Sequence, residues 1–200
     1  MLITVEGIDG AGKTALVAPL AGALRERGRR VEVLREPGGV ELAERLRAVV
    51  KDPALTVGAR AEALVYAAAR AQLVEERLRP LLARGAWVLL DRFVDSSLAY
   101  QGGGRGLGIE AVGALNAFAT DGLAPDRTLL LRIDPATALA RVGRRGGAED
   151  RIEREQEAFW AACAAAYDQL AAAEPERWVV IDASRSREEV FQDALAALPA

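Results

Sequence analysis

Histidine is absent from the 200 residues. That absence excludes Ser-His-Asp and Cys-His catalysis and any histidine-held metal. Cysteine occurs once, at Cys163, so the chain has no internal disulfide and no thiolate zinc cluster. In the apolar run AACAAA this cysteine reads as a small buried hydrophobe. Lysine occurs only at Lys13 and Lys51, and asparagine only at Asn116. An N-K-x-D guanine-recognition element therefore has no place here, because Asn116 is followed by alanine and both lysines lie far upstream. No run reaches the roughly 20 apolar residues of a membrane helix. The opening MLITVEGIDG lacks the basic leader of a signal peptide, so a cytoplasmic, membrane-free protein is expected. The net charge of -3 argues against nucleic acid as a partner, which calls for a basic surface.

What is present is regular. Apolar residues make up 51% of the chain, enough for one sizeable core, and a single domain over 1–200 is expected. Short β-rich runs at 2–6, 31–35, 86–91, 127–133 and 178–182 are apolar through most of their length, as strands covered on both faces must be. Between them lie runs with apolar residues at helical spacing: 14–27, 41–50, 59–82, 110–118, 136–142, 153–172 and 188–198. Pro80 kinks or ends the third of these. Strand–helix alternation predicts an α/β fold in three layers, a parallel sheet with helices on both faces. Two Gly/Arg-containing stretches, QGGGRGLG at 101–108 and GRRGGAEDR at 143–151, read as mobile loops that handle anions.

Residues 7–14 read GIDGAGKT, a full G-x-x-x-x-G-K-T motif placed after a strand and before a helix. Gly7, Ile8, Asp9, Gly10, Ala11, Gly12, Lys13 and Thr14 are expected to wrap the phosphates of ATP, with backbone N–H groups turned inward and the helix N-terminus behind them. Lys13 should bridge the β- and γ-phosphates and the Thr14 hydroxyl should ligate Mg2+. Asp9 lies inside this loop, where a carboxylate facing triphosphate is repelled. It is expected to face the acceptor, a sugar hydroxyl or the metal. At the end of the third strand, Asp91 is placed to hold the metal and Arg92 to bind a second phosphate in bidentate fashion.

At this point a resemblance enters. GIDGAGKT, REPGG (35–39), YAAARAQ (66–72), DRFVDSSLAYQGGGRG (91–106), DRIE (150–153) and IDAS (181–184) occur in the order found in bacterial thymidylate kinases, and together they span nearly the whole chain. The resemblance implies a P-loop NTPase fold with strand order 2-3-1-4-5, a small lid near 143–152, and a homodimer. It implies phosphorylation of dTMP by ATP with Mg2+. The rival readings are a kinase for another nucleoside monophosphate or small metabolite on the same scaffold, and an ATP-dependent regulatory module. The site it implies has Arg92 on the acceptor phosphate and Tyr66 in place of a phenylalanine that stacks on thymine. Arg70 would reach a thymine carbonyl, Ser97 and Gln101 the base edge. Tyr100 would pack on the deoxyribose, Asp9 would accept from the 3′-hydroxyl, and Pro37 would line the acceptor site. The usual family string is close to FAADRAQH, so Ala69 and Leu73 are departures. Arg144, Arg145 and Arg151 surround a Gly-Gly pair and would arrive with lid closure to neutralise the transferring phosphoryl group. Arg151, in the DRIE string, is the first choice among them.

Overall fold

A computed structural model describes residues 1–145 and 150–199, with the side chain of Arg145 outside the described part. Five strands, β1 (Leu2–Glu6), β2 (Val31–Arg35), β3 (Trp87–Asp91), β4 (Arg127–Arg132) and β5 (Trp178–Asp182), form one parallel sheet in the order β2-β3-β1-β4-β5. All five residues of β1, the middle strand, are buried, which is why Leu2 and Ile3, on opposite faces, are both apolar. The helices are α1 (Lys13–Glu26), α2 (Glu41–Lys51), α3 (Ala59–Leu73), α4 (Arg79–Ala83), α5 (Val94–Ser97), α6 (Ile109–Thr120), α7 (Pro135–Arg145), α8 (Glu157–Ala173) and α9 (Arg187–Ala196). One core packs α1, α8 and α9 against the sheet through Leu20, Leu24, Trp160 and Tyr167; the other packs α3 and its continuation through Leu73, Val74 and Leu78. Cys163 lies wholly inside the first. The departures Ala69 and Leu73 lie in the second, where they serve as core hydrophobes.

Three elements differ from the sequence reading. The run at 59–82 is not one helix: it widens into a π turn at Val74–Leu78 before α4. Pro80 has no N–H to give the Glu76 carbonyl, and a widened turn absorbs that missing bond. The helix expected from residue 153 starts at Glu157, because the Asp150 carboxylate takes the N–H groups of Ile152 and Glu153 and holds the chain in a turn. The expected mobile loop at 101–108 is mostly ordered. A second π turn runs over Leu98–Gly104, and a Cβ on Gly103 or Gly104 would stand 2.6 Å from atoms of α8. Close helix contact, rather than mobility, explains those two glycines. Of the other expected Gly/Arg loop, 143–151, the first three residues close α7 as helix, and 146–149 lie outside the described residues.

The site is positioned by the sheet. β1 lies between β3 and β4, so the loops leaving the C-terminal ends of β1 and β3 open a crevice there. Val5 stands level with Asp91, which puts the phosphate loop beside the Asp91-Arg92 pair.

Candidate active site

The loop after β1 curls because its glycines take conformations closed to other residues. Gly10 has φ +85°, and a Cβ on it would meet the Ala138 carbonyl oxygen at 2.2 Å. Lys13 Nζ donates to the Gly7 and Ile8 carbonyls, 2.9 Å each. Burial, reinforced by the nearby Arg92 charge, pushes this ammonium down to about 8. Thr14 Oγ1 donates to Asp91 Oδ2 at 3.1 Å. A hydroxyl and a carboxylate thus meet at the N-terminus of α1, hard oxygen donors of the kind Mg2+ takes. No group of three or more His, Cys, Asp or Glu side chains among the described residues is arranged to hold a metal by itself. The donor set is the small one of a site in which substrate phosphates and waters complete the coordination.

Beside the phosphate loop stands Arg92, at φ +71° in the left-handed region that non-glycine residues seldom adopt. Its guanidinium donates to Gly7 O (3.1 Å), Ser96 Oγ (3.0 Å), Asp9 Oδ1 (2.6 Å) and Tyr100 Oη (2.9 Å). Asp9 therefore sits between the two cations, 4.0 Å from Lys13 Nζ and 2.6 Å from Arg92. Burial alone would raise the Asp9 carboxyl, but Arg92 and Lys13 hold it below the usual carboxylate range.

The remaining sequence-predicted side chains separate into two groups. Pro37, Tyr66, Arg70, Ser97, Tyr100, Gln101 and Arg144 line the same cleft as the phosphate loop and Arg92. Arg70 is 2% exposed and bound inward: Nε to Glu36 (2.7 Å), Nη1 to Ser97 (2.9 Å) and to Asn116, Nη2 to the Phe93 carbonyl (2.9 Å). Every guanidinium nitrogen is engaged with protein, so a bond from Arg70 to a base would be made in exchange for one of these. Arg151 does not line the cleft. It donates to the Val50 carbonyl at 3.0 Å and pairs with Glu62 at 2.5 Å. The Arg145 side chain and the Gly-Gly pair at 146–147 lie outside the described residues.

Several residues of this region carry no motif. Glu6 is wholly buried at the end of β1 and accepts from Phe93 N, Ser96 Oγ and Tyr167 Oη. Glu62 is wholly buried on α3 and gathers Gln101, Arg105 and Arg151. Lys51 pairs with Asp150 at 2.5 Å, tying the turn that precedes α8 to the end of α2. The usable signal for Glu6 was a carboxylate ending an otherwise apolar strand; for Glu62 it was its place one turn before Tyr66, on the same helix face.

The cleft holds about 1360 Å3, above the ~300–1000 Å3 typical of a pocket for one small ligand. Two polyanions fit side by side in such a space. A family model described as Thymidylate kinase matches residues 5–194. A thymidylate kinase of Lactobacillus delbrueckii subsp. bulgaricus is 49% identical over 191 residues, covering 94% of this chain and 90% of that protein. One of Deinococcus radiodurans is 48% identical over 198 residues, covering 99% and 96%. One of Pseudomonas putida is 46% identical over 200 residues, covering 100% and 95%. With a single family model spanning nearly its whole length and relatives of this identity matched end to end, the chain belongs to the thymidylate kinase family.

Proposed function

We propose that the protein transfers the γ-phosphoryl group of ATP to dTMP, giving dTDP and ADP, as a step of nucleotide biosynthesis in the cytoplasm. The observation that carries this reading is the pair of cations flanking Asp9: Lys13 on the donor loop and Arg92 at the end of β3 line one cleft and meet at the Gly7 carbonyl. A nucleotide switch needs no site for an acceptor phosphate, which is the place we give the second one. Thr14 and Asp91 would hold Mg2+, which when bound neutralises phosphate charge and aligns the donor. The protein's own part is positioning and charge. Lys13 and the loop N–H groups draw the donor phosphates to the end of α1. Arg92 orients the acceptor phosphate, and Tyr66, Ser97, Tyr100 and Gln101 hold the nucleoside. No protein nucleophile is required. All of this lies on one domain.

A homodimer is part of the same reading. α3 and α6 pack together, and each turns a large apolar side chain outward, Leu64 at 57% and Phe118 at 89% exposure.

The deciding experiment is ADP release with a panel of acceptors. Release that depends on dTMP, with little response to AMP, GMP, CMP or shikimate, is the expected result. Equal or better turnover with AMP would overturn the substrate assignment and leave the fold untouched.

A further inference from the structure

We propose that Glu62 is a positioning residue for acceptor-base selection: by accepting the Gln101 amide N–H it turns the Gln101 carbonyl oxygen to the cleft. That orientation selects a pyrimidine carrying N–H at ring position 3, thymine or uracil, over cytosine, which carries a lone pair there. The inference rests on the dTMP reading of the same cleft.

An amide has a donor end and an acceptor end, and the protein decides which of them a ligand meets. Gln101 is 2% exposed and lines the cleft. Its Nε2 donates to Glu62 Oε1 at 2.9 Å. Among the described residues no donor reaches its Oε1, and that atom is not one of the fully buried atoms left without a partner. The oxygen is therefore the acceptor that the amide leaves to the cleft, with only the second Nε2–H beside it.

The opposite orientation is closed by charge. Glu62 is wholly buried, and its two oxygens also take Arg105 Nε and Nη2, 3.1 Å each, and Arg151 Nη2, 2.5 Å. Burial alone would raise its carboxyl, yet the hydrogen bonds from Arg105, Gln101 and Arg151 hold it below the usual range. An ionised carboxylate only accepts. Reversing the Gln101 amide would set two acceptor oxygens face to face in the place of a 2.9 Å hydrogen bond. Arg105 is fixed in turn by Glu155 at 2.5 Å, so the carboxylate cannot swing away with its partners.

A buried amide presenting oxygen pairs with an N–H and repels a ring lone pair. Sites built on such a bond reject the ligand that lacks its complement, because a buried polar group is then left unpaired. Uracil carries the same N–H as thymine, so this device does not separate dTMP from dUMP.

The test compares kcat/KM for dTMP and dCMP with ATP in wild type, Glu62→Gln, Glu62→Asp, Gln101→Leu and the Glu62→Gln/Gln101→Leu double variant. Gln at position 62 can donate or accept, which frees Gln101 to present either end. Asp keeps the charge for Arg105 and Arg151 but draws the oxygen back from Gln101. Each Glu62 variant is expected to lower the dTMP/dCMP ratio by about tenfold or more. Gln101→Leu should lower it as well, and Glu62→Gln should change it no further in that background. A merely structural role would depress both substrates by one factor, and an unchanged ratio in a Glu62 variant that folds would overturn the proposal. Should neither Glu62 variant fold, Gln101→Leu decides, and a retained ratio refutes the idea. Wild type that releases no ADP with dTMP would bring down the substrate reading itself, and this inference with it.

Discussion

Glu6 does its work without touching the cleft. It ends the central strand, and its carboxylate accepts the Phe93 amide at 2.7 Å, Ser96 Oγ at 2.6 Å and Tyr167 Oη at 2.8 Å. Phe93 follows Arg92, and Ser96 accepts from the Arg92 guanidinium, so one buried carboxyl group fixes both the backbone and the head group of a residue in a sparsely populated conformation. Such a conformation costs roughly 1–3 kcal/mol and persists where its surroundings over-determine it. Burial, helped by the Asp95 charge, pushes the Glu6 carboxyl from 4.5 up to about 7. The sign follows. Below about pH 4.5 the group is protonated in folded and unfolded chains alike, and between about 4.5 and 7 the folded chain holds the proton that the unfolded one has lost. Stability from this source is thus full at low pH and gone once the pH passes about 7. Glu6→Gln lacks this dependence. Urea unfolding at pH 5 and pH 8 should show wild type losing about 1–3 kcal/mol relative to the variant. A difference that stays flat would show that Glu6 titrates normally. Lys13, Thr14, Asp91 and Arg92 were legible in the sequence because each belongs to a short motif whose spacing already implies the chemistry. Glu6 and Glu62 were not, because their partners lie on other elements and only the fold brings them together.

The segment Leu98–Gly104 shows the same limit in a larger unit. Glycine beside arginine reads as a mobile, anion-handling loop, and nothing local says otherwise. The structure instead lays Gly103 and Gly104 against α8, and Arg105 is spent on Glu62 and Glu155. A Cβ on Gly104 would stand 2.6 Å from Cys163 Sγ and from the Phe159 ring, both packed in the main core. Neither neighbour has room to retreat. Gly104→Ala is expected to destabilise by about 1–3 kcal/mol through overpacking. At ~2–4 °C per kcal/mol for a chain of this size, thermal unfolding should move down by several degrees. A variant with unchanged Tm would mean that α8 yields at this contact. The strands were legible to within a residue, since burial on both faces leaves a plain apolar signature. Helix ends were legible less often: an aspartate taking two amides delays α8, and a proline's missing N–H widens the end of α3, events of one hydrogen bond that periodicity does not register.

The whole chain is acidic, with a net charge of -3, yet Lys13, Arg47, Lys51, Arg92, Arg141 and Arg144 converge on the cleft. That concentration suits two polyanionic substrates that must approach in line, with a lid closing over them. Arg144 and Arg151, both expected to act in the transfer, occupy different places. Arg144 is exposed at the end of α7 and lines the cleft. Arg151 is 12% exposed and tied to Glu62 and to the end of α2. Their substitutions should therefore fail differently, although the sequence ranks Arg151 first. The transferring phosphoryl group spreads charge over its equatorial oxygens, and an arginine supplied to it is worth about 10³–10⁵ in kcat. Arg144→Ala is expected to lose kcat by well over tenfold with little change in either KM. Arg151→Ala should act on the acceptor side, raising the KM for dTMP and lowering the dTMP/dCMP ratio, because it removes a donor from the carboxylate that orients Gln101. The triple Arg144→Ala, Arg145→Ala, Arg151→Ala protein should combine both losses. Steady-state kinetics with each substrate varied in turn separates these outcomes. If Arg151→Ala instead loses kcat at unchanged KM and ratio, its guanidinium leaves Glu62 during turnover and reaches the phosphates. If the triple protein keeps its kcat, the neutralising charge comes from the phosphate loop and Arg92 alone.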